Sequence, residues 1–215
     1  MKSTTCYPIL GCHGGGTSLV SALLRDLGVT MGLDFMGDVK DYPTWEDKDF
    51  TRLNMRILHH AGGRWNHPPE RQRITDLANN EGLMRDIKQT ITKKTCRDRW
   101  GFKDPRLPLT IPLYHPHLPN PHYIVVKRGR NAIARSIKSR GGKATIARWE
   151  AFADEHFNRI GEFLAATDAV RLVVNYENLV NKNTSLSVIE TIARYVRCKK
   201  PGQQAKGAML IVRFR

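Results

Sequence analysis

Residues 7–24, YPILGCHGGGTSLVSALL, decide how this chain folds. A short apolar run (Tyr7 to Leu10) breaks into Gly11, Gly14, Gly15 and Gly16. Two hydroxyls follow at Thr17 and Ser18, and Leu19, Leu23 and Leu24 then recur at helical spacing. That order predicts strand, glycine loop, helix. Glycine lets backbone N–H groups approach an anion with no side chain between them. The helix behind the loop adds unpaired N–H donors and the positive end of its dipole. A phosphate-type group belongs at such a loop; the competing reading is a glycine-rich turn with no ligand. Gly11 and Gly16 have the separation of a Walker A loop, but Thr17 stands where the Lys of that motif belongs. The loop therefore suits a nucleotide whose reacting group is handled by residues from elsewhere.

Outward from this stretch, strands alternate with helices. The first helix is expected to end near Gly28, with a brief strand in GVTMG. Residues 32–47 are rich in Gly, Asp and Pro and read as a surface loop. Phe50, Leu53, Ile57 and Leu58 fall on one face of an amphipathic helix from Asp47 to Ala61. Residues 70–95 read as helical again, with Ile74, Leu77, Leu83, Ile87 and Ile91 as core candidates. WGFKDPRL is a short strand entering a loop, since Pro105 cannot continue a ladder. LPLTIPLYHPHLPNP reads as a connecting segment with at most one helical turn. Its His115 and His117 are read as surface residues, two His without a third ligand being a poor metal signature. Then come a strand (Tyr123 to Val126) with a charged turn and helix, a long helix over 146–166, a strand and turn in RLVVNYENLV, and a helix in TSLSVIETIARYV. The basic tail after Cys198 has no assignment. The pattern predicts an α/β fold: one domain over residues 1–215, three layers, a mostly parallel central sheet flanked by helices, and residues 32–95 as a helical insertion on the acceptor side.

Composition narrows the function classes. At 215 residues the chain is long enough for one α/β domain with a substantial core. Its net charge of +15 implies an anionic partner without choosing among nucleotide, acidic sugar, nucleic acid or membrane surface. A nucleic-acid binder is supported by the charge alone, with no motif or aromatic platform. Cys6, Cys12, Cys96 and Cys198 form no C-x-x-C pair and are expected to be reduced thiols of a cytoplasmic protein. Cys12, inside the glycine loop, reads as a small loop residue rather than a nucleophile. No stretch is apolar and long enough to span a membrane, and MKSTTCYP has no signal-peptide core.

In a parallel sheet, ligands gather beyond the carboxyl ends of the strands. Three segments deliver polar groups there: the glycine loop; Lys103, Asp104 and Arg106 after WGF; and Arg128 after YIVV, with Ser136 eight residues on. Arg128 at a strand end and Ser136 two helical turns along would clamp one phosphate.

With these segments in place, the chain resembles the nucleotide-dependent sulfotransferases, in particular the bacterial type related to carbohydrate and tyrosyl-protein sulfotransferases. GCHGGGTSLVSALL, TWEDKDFTRLN, GGRWNHPP, WGFKDPR, VVKRGRNAIARS and VNYENLV follow the family's order over roughly residues 7 to 180. The resemblance implies a P-loop NTPase-like fold and 3′-phosphoadenosine 5′-phosphosulfate (PAPS) as sulfuryl donor, with the 3′,5′-diphosphate (PAP) as product and no metal. It implies that Gly14, Gly15, Gly16, Thr17 and Ser18 wrap the 5′-phosphosulfate, while Arg128 and Ser136 hold the 3′-phosphate. Lys103 would neutralise charge at the bridging oxygen, and Glu46 would be the base for the acceptor hydroxyl. Asp47 is its rival, or the N-cap of the next helix. Trp45, Asp47 and Arg106 are the candidates for contacting the acceptor, a small molecule or carbohydrate; Trp45 and Trp65 could equally be core rings.

The resemblance has one gap. The family's loop usually carries Arg or Lys and then Ser where this chain has Gly14 and Gly15. Lys103, Arg106 or His13 would have to make up the missing charge, and His13 is accordingly a catalytic candidate. A PAPS- or PAP-binding homologue without turnover and a P-loop small-molecule kinase are the alternative readings. Lys206 and Gly207 resemble, faintly, a remnant of the family's final nucleotide-covering loop.

Overall fold

The apolar run that opens the chain becomes β1 (Thr5–Leu10), buried at every position. The computed structural model describes residues 4–32, 34–36, 44–95 and 97–213. β1 is the central strand of a five-stranded, all-parallel sheet with β2 (Thr30–Met31), β3 (Arg99–Lys103), β4 (His122–Lys127) and β5 (Val170–Asn175), in the order β2-β3-β1-β4-β5. The chain builds β2 and β3 on one side of β1, then crosses over to build β4 and β5 on the other. The strand order thus reverses at β1, and the crevice beyond its carboxyl end is the place where such sheets bind ligands. Register aligns the strand ends: Ile9 lies beside Lys103 and Leu10 beside Val125.

Alternation along the strands sends side chains to two different cores. Cys6, Leu10, Trp100, Phe102, Tyr123 and Val125 face one layer. It is made of α2 (Lys48–His60), α3 (Arg71–Asp76), α4 (Glu81–Lys94), α5 (Leu107–Tyr114) and α7 (Ile146–Ala166). Tyr7, Ile9, Ile124, Val126 and Val174 face the other, where α1 (Thr17–Asp26), α9 (Ser185–Tyr195) and α10 (Pro201–Arg213) pack, with Leu179 of α8 (Tyr176–Val180). α6 (Arg130–Ser139) closes a third, smaller cluster with α7 around Cys12 of the glycine loop. The result is the expected three-layer α/β, P-loop-like architecture. Helices α2 to α4 share their core with β3 and α5.

Four local expectations need correcting. LPLTIPLY is a helix, α5, followed by a 3-10 turn (His115–His117). Pro108 sits in its first turn, where a missing N–H costs nothing, and Pro112 is carried at the helix's one exposed position while the other seven residues, buried, hold α5 in place. Thr110 and Tyr114 both donate to Asn54 Oδ1, at 2.7 and 2.9 Å, and pin α5 to α2. His115 is half-buried rather than at the surface, its Nδ1 2.8 Å from the Tyr123 hydroxyl. VNYENLV continues past its strand into the short helix α8. The unassigned tail is α10, whose Ala205, Ala208 and Val212 seat against the second core; Lys206 and Gly207 lie inside it and not in a loop. Cys6, Cys12 and Cys198 are free thiols; Cys96 lies outside the described residues, as do 37–43 of the expected surface loop.

Phe50 of α2 stacks on Phe102 of β3 with ring centroids 3.9 Å apart and planes 9° from parallel. Both rings are fully buried, so a smaller side chain leaves a void between layer and sheet. Phe50→Ala is expected to lose about 3–5 kcal/mol of unfolding free energy. Urea denaturation reads this as a lower midpoint at unchanged slope.

Candidate functional site

The glycine loop adopts the shape an anion needs. Gly14 and Gly16 have φ of +78° and +87°, a region that side-chain-bearing residues rarely enter. The Gly15 N–H donates to Cys12 O at 3.0 Å and closes the turn. Gly16 is the N-cap of α1, and no side chain caps that helix, so its first-turn N–H groups look into the crevice. Space is tight on the other side: a Cβ on Gly16 would lie 2.1 Å from the Tyr176 ring. Thr17 folds its methyl over Gly11, and the Ser18 hydroxyl donates to Thr44 O at 3.2 Å. Burial pushes the Cys12 thiol up to about 12, so the helix end does not make it a thiolate.

The segment after β3 brings cations to this loop. Lys103 is only 3% exposed, and its ammonium donates to Glu46 Oε1 at 2.8 Å and Thr44 O at 2.9 Å. Arg106 donates through Nη1 to both carboxylate oxygens of Asp104, at 3.0 and 2.9 Å, and lies 3.6 Å from Glu46. Asp104, wholly buried, also accepts from the Arg106 N–H and the Thr51 hydroxyl. A carboxylate so fully bonded is an anchor that orients Arg106. Glu46 bridges Lys103 and Arg106. Its neighbour Asp47 is the N-cap of α2, accepting from the Asp49 N–H at 3.0 Å and pairing with Lys94 at 2.8 Å. Of the two roles open to Asp47, the cap is the one its geometry displays. Trp45 stands at φ +53° with the Arg25 guanidinium 3.9 Å over its ring and Phe35 at its edge.

Across the crevice, Arg128 Nη1 donates to Gly14 O at 2.8 Å, its guanidinium lies 4.4 Å over the Tyr176 ring, and its Nε is buried without a partner. The Glu177 carboxylate accepts from the Gly129 N–H at 2.9 Å. α6 packs directly on the loop: a Cβ on Gly14 would meet Ile133 O at 3.1 Å, with Ile137 Cγ1 and Arg140 Nη2 each at 3.3 Å. Helical periodicity puts Ser136 on the flank of that same face. Arg128 and Ser136 thus stand on the loop's side of the fold, with Arg128 turned onto Gly14.

Arg140, the C-cap of α6, is a residue the sequence reading passed over. Its only signal is a cation just before Gly141–Gly142, which reads as an ordinary helix stop. Burial and the nearby charge of Arg128 depress its pKa, and Glu46 opposes them. His13 packs tilted against Trp65, ring centroids 4.4 Å apart, and Trp65 lies parallel to Trp149. Burial first, then the charges of Arg106, His156, Lys103 and Arg140, hold His13 well below the usual imidazole range. His13 is therefore neutral at pH 7 and cannot replace a loop cation. Lys103, Arg106 and Arg140 are the cations close enough to act on His13. No group of His, Cys, Asp or Glu among the described residues is arranged to hold a metal ion. No family model and no curated protein matches this chain.

His156, fully buried under the same aromatic cluster, sits 2.8 Å from Phe152 O through Nδ1. Burial, opposed by that carbonyl, pulls its pKa from 6.5 down to about 4. The unfolded chain takes up this proton first as pH falls. His156 therefore contributes fully above pH 6.5, and on the order of 3 kcal/mol is lost between pH 6.5 and 4. Urea midpoints over that interval should fall more steeply for the native chain than for His156→Phe, and equal slopes would contradict the assignment.

Proposed function

We propose that this chain is a PAPS-dependent sulfotransferase that moves a sulfuryl group to a hydroxyl or amine of a small-molecule or carbohydrate acceptor. One observation carries the reading. Lys103, Arg106, Arg128 and Arg140, from separate parts of the chain, converge on an uncapped helix N-terminus whose own loop has no cation. The first turn of α1 would take the 5′ end of the donor. Arg128, whose Nε lacks a partner, would take the 3′-phosphate together with the Ser136 flank of α6.

Sulfuryl transfer, like phosphoryl transfer, is an in-line displacement with a loose transition state, so positioning and charge stabilisation dominate. Lys103 and Arg106 then stand where the leaving group's charge grows, held in place by Glu46 and Asp104. Glu46, released from Lys103 by the incoming acceptor, is the group to receive the acceptor proton. Arg140 supplies the charge that Gly14 does not. The absence of any cation in the loop itself favours one second reading, a PAP-binding homologue without turnover.

Transfer of radiolabelled sulfate from PAPS separates these two readings. Calorimetry should show PAP bound in preference to ADP, with Arg128→Ala erasing about tenfold or more of that preference. Equal affinity for PAP and ADP would remove the donor assignment. Lys103→Ala should lower kcat about 10²- to 10³-fold while PAP still binds, which also reports that the variant is folded. Arg140→Ala should lower kcat about tenfold, and unchanged turnover would take Arg140 out of the mechanism.

A further inference from the structure

Away from the glycine loop, a groove of about 880 Å³ runs between α4 and the end of α5 with its 3-10 turn. Its floor is apolar: Met84 from α4 faces Pro112, Leu113 and Pro116. Its rim is cationic. Arg85, Lys88 and Lys93 line it from α4, the His117 imidazole stands on the opposite wall without adding to their charge, and Glu81 at one end is the single acidic residue of the lining. The carboxylate in the middle of α4, Asp86, turns the other way and pairs with Arg56. Arg85, Lys88 and Lys93 have no ion-pair partner among the described residues. Lys88 and His117 face each other across the groove closely enough that the lysine charge adds to burial in lowering the histidine's pKa.

A solvated basic helix face scatters its cations over open surface, whereas here they ring an apolar trough of small-molecule size. An uncharged occupant would leave three cations unanswered, and a small hydrophilic anion would leave the floor uncovered. We propose that this groove binds a monomeric amphipathic anion, an alkyl or aryl body lying on Met84, Leu113 and the two prolines with its carboxylate or sulfate-type head between Arg85 and Lys88. The proposal is independent of the chemistry at the glycine loop.

Dodecanoate below its micelle concentration is the probe, titrated by calorimetry and by the ¹³C methyl resonance of Met84. One dodecanoate per chain should bind, shift that resonance, and persist in saturating PAP. Acetate, which has the head alone, and dodecyl maltoside, which has the body without charge, should each bind about tenfold more weakly or worse. The double variant Arg85→Glu/Lys88→Glu, at exposed positions, should keep its thermal midpoint and lose about tenfold in dodecanoate affinity. Equal binding of dodecyl maltoside, an affinity untouched by the double variant, a still Met84 methyl, or binding only to phosphatidylglycerol vesicles would each overturn the proposal.

Discussion

The site depends on strand register. Ile9 of β1 lies beside Lys103 of β3, so the lysine ends its strand just short of the level at which β1 gives way to Gly11. A slip of one residue would send Lys103 to the opposite face of the sheet and bring its neighbour into the crevice instead. The register is itself stabilised by charge. A nearly buried ammonium is tolerable only with partners, and Glu46 and Thr44 O provide them. Those partners are held because the next residue, Asp47, caps α2 and grips Lys94 of α4. Strand pairing, helix capping and ion pairing therefore constrain one another across three elements.

The glycines of the loop do more than permit a turn. At Gly14 the absent side chain leaves the space into which the Arg140 guanidinium reaches, and at Gly16 the space is filled by the Tyr176 ring. The loop is thus completed by residues from the end of α6 and the start of α8. A cation at the C-terminus of α6 is also favourably placed against that helix dipole. Arg106 differs from Arg140 in being bonded on both of its inner contacts to Asp104, which fixes its direction and offsets part of its charge.

The alternation of strands and helices was legible because apolar periodicity and glycine punctuation speak directly of local structure. The helix over 146–166 and the Asp47 cap were read to within a residue. α5 was missed because two prolines and a nearly all-apolar composition conceal a helix that is buried at every position but Pro112 and so has no amphipathic period. α10 was missed because Pro201, Gly202 and Gly207 argue against a helix whose support comes from packing on α1 and α9. The roles of Lys103 and Arg128 as strand-end cations could be read from their positions. Arg140 and Tyr176 could not, since only the folded chain brings them to Gly14 and Gly16, far from both in sequence. The state of His13 was hidden in the same way: its burial, and then the cations around it, hold its pKa down.

The central position of β1 has a consequence for how the molecule is made. β1 is made before the other four strands, and its partners arrive much later: Thr5 pairs with Arg99, and Leu10 with Val125. Such distant pairing makes folding slow, because large loops must close before any contact rewards them. Until residue 99 has emerged, this largely apolar strand and the glycine turn behind it have no sheet partner, and its second edge stays unpaired until residue 125. The last of the five strands to be made, β5, joins β4 at the sheet edge and so depends on the pairing already laid down around β1.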